Sequence, residues 1–315
     1  MYKNKKIAAV VPAYNEEKLI GRVIASMPDF IDRVYIVDDA SNDSTCDVVS
    51  SYAHQAPERI CLIQHEKNQG VGGAILSGHT RAAADGMDIM VVMAGDAQMD
   101  PADLHTVIDP VADDLADYAK GNRFIRGEAW SKMPRVRFYA NAGLSFLNKF
   151  ASGYWHISDP QCGYTAISSQ ILTKLDMKRI SRGYHFENSM LIDLNMINAR
   201  VVDVPIKAVY GIGEKSGINH ALALFSFSAF LFKAFWWRLF QKYVIRDFHP
   251  LFFFYIFGIL FFFTGLIFGL YLAGIRIAGH LIASTSALFA VFLFTTGLQM
   301  LLFAMWFDRD YLRRQ

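Results

Sequence analysis

The chain has 315 residues, enough for one large domain or two smaller ones, and its 31 Lys and Arg nearly balance its 29 Asp and Glu for a net charge of +2. That balance, with no basic stripe interleaved with stacking aromatics, argues against a nucleic-acid binder. The three cysteines Cys46, Cys61 and Cys162 form no CxxC pair, which argues against a zinc site or a disulfide framework and fits a reducing compartment.

In chain order, the polar residues 1–6 carry no signal-peptide pattern, so the soluble part is expected in the cytoplasm. Residues 7–11 read as a strand, followed by a helix over 17–27. A strand over 34–37 leads to a helix from Thr45, with Ser44 and Asp47 spaced like a capping box. Strands over 60–64 and 89–93 flank a helix over 72–84, and Pro101 suits the first turn of the next helix. Strands alternating with helices in this way predict an α/β fold, a mostly parallel sheet covered on both faces.

Beyond about Ser216 the composition turns Phe- and Leu-rich. Residues 218–245 are apolar almost all round at Leu222, Phe225 and Phe230, but Lys233, Arg238 and Lys242 bring charge back. The pair Trp236 and Trp237 suits a headgroup region. One or two interfacial helices are expected there, with a third spanning helix as the competing reading. Residues 251–273 and 281–306 are uncharged and long enough to span a bilayer, which takes roughly 20 residues. Lys233, Arg238, Lys242 and Arg246 on one flank, and Arg309, Arg313 and Arg314 on the other, place both flanks on the cytoplasmic face. The expected organisation is a catalytic domain over 1–217, interfacial helices over 218–249, a two-helix anchor over 250–307 and a cytoplasmic tail over 308–315.

Ligands of such sheets bind beyond the carboxyl ends of the strands. Three acidic clusters fall there: PAYNEE from Pro12, VDDASNDST from Val37 and GDAQMDP from Gly95. Singly, each has a plain reading as a strand-to-helix turn or a helix start. Together they would repel one another without a cation or bound partner. Their combination and order resembles the family 2 glycosyltransferases with the GT-A fold. Within these the chain looks most like the polyprenyl-phosphate sugar transferases, similar to dolichol-phosphate mannose synthase and bacterial polyprenyl-phosphate glucosyltransferases.

The resemblance implies roles by position. Pro12, Tyr14 and Glu16 would cradle the donor's base and ribose, and Asp39 would recognise the base. Asp96 and Gln98 would be oxygen ligands of a divalent cation, Mg²⁺ or Mn²⁺, on the donor diphosphate. Relatives carry a further acid where this chain has Ala94. The loop from Asn68 to Ala74 matches a family loop whose glycines would let backbone approach the donor. It fails as a dinucleotide fingerprint, because Ile75 stands where glycine is required. Arg123, with Arg137 and Asn141 one helical turn apart, would grip the acceptor phosphate; relatives have serine at the position of Asn141. Asp159 is the candidate catalytic carboxylate, or else a group that orients Arg137 or the sugar. Glu187 would hold sugar hydroxyls, and Lys215 would offset leaving-group charge in a loop whose usual arginine is Val209 here.

The expected reaction is transfer of one sugar, with inversion, from a nucleoside-diphosphate-sugar to polyprenyl phosphate at a lipid bilayer. The resemblance weights the donor toward a UDP-sugar, and a homo-oligomer is left open. A processive polysaccharide synthase would carry a Gln-x-x-Arg-Trp motif and more spanning helices, and neither occurs. A transferase using another lipid acceptor and a catalytically silent membrane scaffold stay as alternatives.

Overall fold

The computed structural model describes residues 1–125, 135–207 and 220–313; of 135–140, 220–224 and 312–313 it describes the backbone. Seven strands form one sheet: β1 Ile7–Ala13, β2 Arg33–Asp38, β3 Ile60–Gln64, β4 Ile89–Val92, β5 Tyr118–Asn122, β6 Thr165–Ser168 and β7 Val201–Pro205. Their order is β3-β2-β1-β4-β6-β5-β7. β6 is antiparallel to both its neighbours, and every other pair is parallel. The carboxyl ends of β1 to β5 and β7 therefore share one edge.

The described helices are α1 Ile20–Ala25, α2 Thr45–Gln55, α3 Val71–Ala84, α4 Leu104–Ala112, α5 Arg135–Ser152, α6 Ser169–Leu172, α7 Phe186–Met196, α8 His220–Phe240, α9 Leu251–Ile277 and α10 Ser284–Arg313. β1 lies in the middle of the sheet, and Ile7 to Val11 are wholly buried. Its alternate residues Ile7, Ala9, Val11 and Ala13 pack with Ile20, Val23, Val49, Leu104 and Ile108 of α1, α2 and α4. On the other face, Val10 and Val37 press against Gly78 of α3, where a Cβ would collide with Val10. Each aliphatic side chain buried in this way contributes about 1.5–3 kcal/mol.

Most expected elements lie within a residue or two of the observed ones; two local details differ. α1 is six residues long rather than running over 17–27, because the Leu19 and Ile20 N–H groups close a turn on the Glu16 carbonyl and Glu17 is drawn into a neighbouring loop. Ser44 makes no side-chain cap on α2. Asp43 does the work instead, its Oδ1 accepting the Thr45 N–H at 3.0 Å and the Thr45 hydroxyl at 2.5 Å.

By packing, the chain divides into two units, Met1–Ala234 and Phe235–Gln315, and the division falls inside α8. Within the second unit α9 and α10 pair along their length. Cβ atoms added at Gly258, Gly265 or Gly297 would meet the partner helix, so small residues permit the close approach. Among the described residues these two helices are long and apolar enough to cross a membrane. Arg238, read from the sequence as a flanking charge, is wholly buried. Its guanidinium donates to both oxygens of Asp308 at 2.9 and 2.8 Å, and the Tyr243 hydroxyl adds a bond at 2.6 Å.

Candidate active site

The loops after β1 and β2 are stitched together before either can meet a ligand. The Asn15 N–H donates to Ser41 Oγ at 2.9 Å, the Asn42 N–H to Asn15 Oδ1 at 2.8 Å and the Glu16 N–H to Thr45 Oγ1 at 2.8 Å. The Glu17 N–H and Asp43, and the Ser44 N–H and Glu17, pair at 3.2 Å each. Asn15, Ala40 and Ala97, one in each loop after β1, β2 and β4, have φ of 57°, 60° and 57°. Left-handed backbone is costly for alanine, so the Ala40 and Ala97 turns are held by their surroundings, whereas asparagine adopts it readily. Most polar residues of the first two motifs thus hold the loops, leaving Tyr14 and Glu16 directed to a cavity.

That cavity, of about 490 Å³, is lined by Pro12, Ala13, Tyr14, Glu16, Asp39, Asn68, Gly70, Val71, Ala74, Ala94, Gly95, Asp96, Gly183 and Tyr184. Pro12, Tyr14, Glu16 and Asp39, assigned to the donor by resemblance, share this one wall with Asp96. Tyr14 and Tyr184 are 45% and 66% exposed, as rings at a mouth would be. Asp39 is 3% exposed, and its oxygens are engaged from within: Oδ1 with His65 Nδ1 at 2.7 Å and the Gln69 N–H at 2.8 Å, Oδ2 with the Gly70 N–H at 2.8 Å. Asp39 therefore pins the glycine-rich loop to the end of β2.

The glycines of that loop have an intramolecular reason. Gly70 has φ +85°, and a Cβ there would meet the Arg182 carbonyl; one at Gly72 would meet the Ser181 carbonyl and the Phe186 ring. The Gly73 N–H donates to the Arg182 carbonyl at 3.0 Å. The close backbone approach expected toward the donor is made to residues 181–183, and Gly70 alone of these glycines also lines the cavity. The strap that supplies Gly183 and Tyr184 carries no sequence signal and was missed.

At the same sheet edge, beyond β5, Arg123 meets Asp159. Arg123 Nε and Nη2 donate to the carboxylate at 2.7 and 2.8 Å, and the Arg123 N–H adds a bond at 3.1 Å. Asp159 is 1% exposed. Burial would raise its pKa, but the facing guanidinium and Lys120 outweigh that and hold it below the usual carboxylate value. This is the geometry of a carboxylate that orients an arginine, and the arginine is Arg123. Glu187 opens α7, with Oε1 within 3.4 Å of where a Gly163 Cβ would stand; that same point is 3.5 Å from the Met99 methyl. The Tyr164 hydroxyl donates to the Asp100 carbonyl at 3.0 Å, so the loop bearing Asp96 and the segment from Asp159 to Tyr164 are fastened together. Arg137 and Asn141 lie four apart on α5; the Arg137 side chain, and Lys215 entirely, lie outside the described residues.

The cavity wall suits a hard cation. Glu16's pKa is raised to about 7, by burial first and then by the charges of Asp96 and Asp43, so the carboxylates stand in mutual repulsion that a divalent ion would relieve. Asp96, the candidate that the resemblance assigned to that ion, stands close enough for its charge to act on Glu16. Gln98 donates its backbone N–H to Asp96 Oδ1 at 3.0 Å and is not part of the cavity lining. Among the described residues no three His, Cys, Asp or Glu side chains gather tightly enough to hold an ion alone. Diphosphate oxygens and water would complete the shell.

A family model described as glycosyl transferase family 2 matches residues 8–176, more than half of the chain. The chain belongs to glycosyl transferase family 2. Its members similar to this chain include the UDP-N-acetylglucosamine–dolichyl-phosphate N-acetylglucosaminyltransferase of Methanococcus voltae, 32% identical over 66% of this chain and 87% of that protein. Another is the polyprenol monophosphomannose synthase of Mycolicibacterium smegmatis, 28% identical over 70% and 85%. Among solved structures, glucosyl-3-phosphoglycerate synthase from Mycobacterium tuberculosis, in complex with Mn²⁺, UDP-glucose and phosphoglyceric acid, superposes with a TM-score of 0.55. It is 21% identical and covers 75% of this chain and 80% of its own. That likeness shows the GT-A fold. This family 2 chain is a glycosyltransferase.

Proposed function

We propose that the chain is a membrane-bound, inverting glycosyltransferase that moves one sugar from a nucleoside-diphosphate-sugar to polyprenyl phosphate. The observation that carries this reading is the single strand-end edge bearing both a carboxylate-walled cavity and, beyond β5, an arginine clamped by a buried aspartate. The relatives named for dolichyl-phosphate and polyprenol substrates supply the acceptor class. The two long apolar helices suit an enzyme whose acceptor phosphate lies at headgroup level.

In this reading the donor's base and ribose lie against Pro12, Tyr14, Glu16 and the loop that Asp39 holds. Asp96 would hold a divalent cation, which when bound offsets the charge that builds on the departing diphosphate. Lys215 adds to that offset. Arg123, held in orientation by Asp159, steers the anionic acceptor with Arg137 and Asn141, while Glu187 takes sugar hydroxyls. A lipid phosphate is already ionised near pH 7, so it can attack the anomeric carbon in line without a general base. The membrane orientation proposed is the one with the catalytic domain in the cytoplasm.

The test incubates the detergent-solubilised chain with a panel of nucleotide-sugars, Mg²⁺ or Mn²⁺, and polyprenyl phosphate. Polyprenyl phosphate-dependent release of a nucleoside diphosphate, with an acid-labile lipid product carrying one sugar, is expected. Nucleotide binding with no turnover on any donor would instead support the silent scaffold.

A further inference from the structure

Lys120 sits in the middle of β5, with Ala119 and Gly121 on either side of it, and its side chain is wholly buried. An ammonium is rarely placed there without charged or hydrogen-bonding company. Its partners come from every element around it. The ammonium donates to the Cys162 carbonyl, in the segment leading to β6. Asp203 of β7 stands directly opposite Lys120 in the parallel register, on the same face of the sheet. Asp203 accepts from Asn122 Nδ2 at 2.6 Å and from the Ser158 N–H at 2.8 Å. The Cys162 N–H donates to the carbonyl of Asp159, which clamps Arg123, at 3.3 Å, and Glu187, which opens α7, has Oε1 3.4 Å from the Gly163 Cβ position. Burial raises the Glu187 pKa and the Lys120 charge works against that rise, while at Asp159 the Lys120 charge adds to that of Arg123 in lowering it. Tyr118, two residues back on the same face, is buried as well. Three carboxylates and the cations Lys120 and Arg123 therefore share one interior cluster beneath the edge that carries the site.

We infer that Lys120 is a positioning residue for sugar transfer: its buried ammonium, bonded to the Cys162 carbonyl between Asp159 and the Gly163 contact of Glu187, is the fixed counter-charge that keeps both carboxylates in place, so that Arg123 and the sugar-facing carboxylate keep their working orientation. The inference rests on the proposed function for what Arg123 and Glu187 touch. It does not depend on which acceptor is used. The hydrogen bond to the Cys162 carbonyl keeps Lys120 from swinging toward any one carboxylate, and the strand on which it stands cannot move without the sheet. Removing the charge leaves Asp159 and Glu187 with Arg123 as the remaining named cation, and both carboxylates then hold protons to higher pH. Asp203 and the Cys162 thiol face the same point, and Asp203 would respond in the same direction.

The test compares wild type with Lys120→Gln, which keeps a hydrogen-bond donor for the Cys162 carbonyl but no charge, and with Lys120→Arg, which keeps the charge. Two rates are measured across pH: transfer to polyprenyl phosphate, and donor hydrolysis without acceptor, so that a wrong acceptor leaves the Lys120 result readable. For Lys120→Gln the expected result is a fall in kcat of about 100-fold, with the acid limb of the profile moved up by about one pH unit. The dissociation constant for the released nucleoside diphosphate should stay within about threefold of wild type, because the donor cavity is walled by other residues. Lys120→Arg should keep at least about a tenth of the wild-type rate with an unmoved acid limb. A folded Lys120→Gln chain with wild-type turnover and an unmoved limb overturns the inference, as does equal loss of turnover and nucleotide binding. If Lys120→Gln is not recovered folded, Lys120→Arg decides alone: a retained limb supports the inference and a shifted one overturns it. Hydrolysis that follows these expectations with no transfer to polyprenyl phosphate overturns the proposed acceptor and leaves Lys120 supported. A wild-type chain with neither activity overturns both.

Discussion

Glu16 shows how a single residue can be read in two ways until its neighbours are known. In the sequence it is one of two adjacent glutamates at a helix start. In the structure Glu17 binds the next loop while Glu16 stands in the cavity wall beside Asp96. Its pKa, raised from 4.5 to about 7, is the reverse of the usual carboxylate shift. Between those values the folded chain holds a proton that the unfolded chain has lost, so this group makes stability fall as pH rises through that window. Glu16→Gln should remove the effect. Melting midpoints compared from pH 5 to pH 8 should shift increasingly in favour of the variant, and Mg²⁺ or Mn²⁺ should narrow the gap by stabilising the ionised wild type. Parallel curves would mean that the site does not carry this strain. Asp39 makes the complementary point. Its acidic character was legible, but that its oxygens hold His65, Gln69 and Gly70 depends on a loop thirty residues away in sequence.

At the scale of elements, the first four strands were the most legible part, because short apolar runs bounded by polar clusters have few other readings; β5 to β7, where Lys120, Asn122 and Asp203 interrupt the apolar pattern, were not read from the sequence. Helix starts were less so. The spacing of Ser44 and Asp47 suggested a cap that Asp43 provides, since short side chains near a helix start compete for the same N–H groups. The helix pair α9–α10 was expected from composition alone, whereas its mode of packing was not. α9 spans about 40 Å and α10 about 45 Å at 1.5 Å per residue, each more than a hydrocarbon core of roughly 30 Å. Gly258, Gly265 and Gly297 are where their backbones come closest. Gly297→Leu should therefore force the pair apart at a cost of about 1–3 kcal/mol. A lowered melting midpoint of the detergent-solubilised protein, with nucleotide affinity unchanged, is the expected reading. An unchanged midpoint would show that the glycine contact contributes nothing.

For the molecule as a whole, two buried charge clusters tie distant stretches of chain together. In the first unit Lys120, Arg123, Asp159, Glu187 and Asp203 come from β5 and its carboxyl end, from β7, a loop and a helix. In the second unit Arg238 and Asp308, seventy residues apart, make a wholly buried bidentate pair joined by Tyr243. A buried pair adds little compared with apolar side chains, yet breaking one by removing a partner leaves an uncompensated charge. Asp308→Ala should accordingly cost about 3–5 kcal/mol, read as a fall in the melting midpoint in detergent. A double variant, Asp308→Ala with Arg238→Met, should recover much of that loss. If the single variant melts like wild type, Arg238 has found water or another partner.

What the sequence determined by itself was the alternation of strands and helices, the placing of acidic motifs at strand ends and the change to a long apolar tail. All three are local patterns of residue type, which fix a period, a turn or a hydropathy without reference to the rest of the chain. What only the tertiary structure decided was which members of those motifs face a ligand and which serve as mortar. Asn15, Ser41, Asp43 and Thr45 bind one another, Tyr14, Glu16 and Asp96 line the cavity, and Lys120 lies beneath the edge among carboxylates from Asp159 to Asp203. A hydrogen-bond partner or counter-charge far along the chain leaves no trace in local spacing, because it is chosen by the sheet's strand order and not by sequence distance.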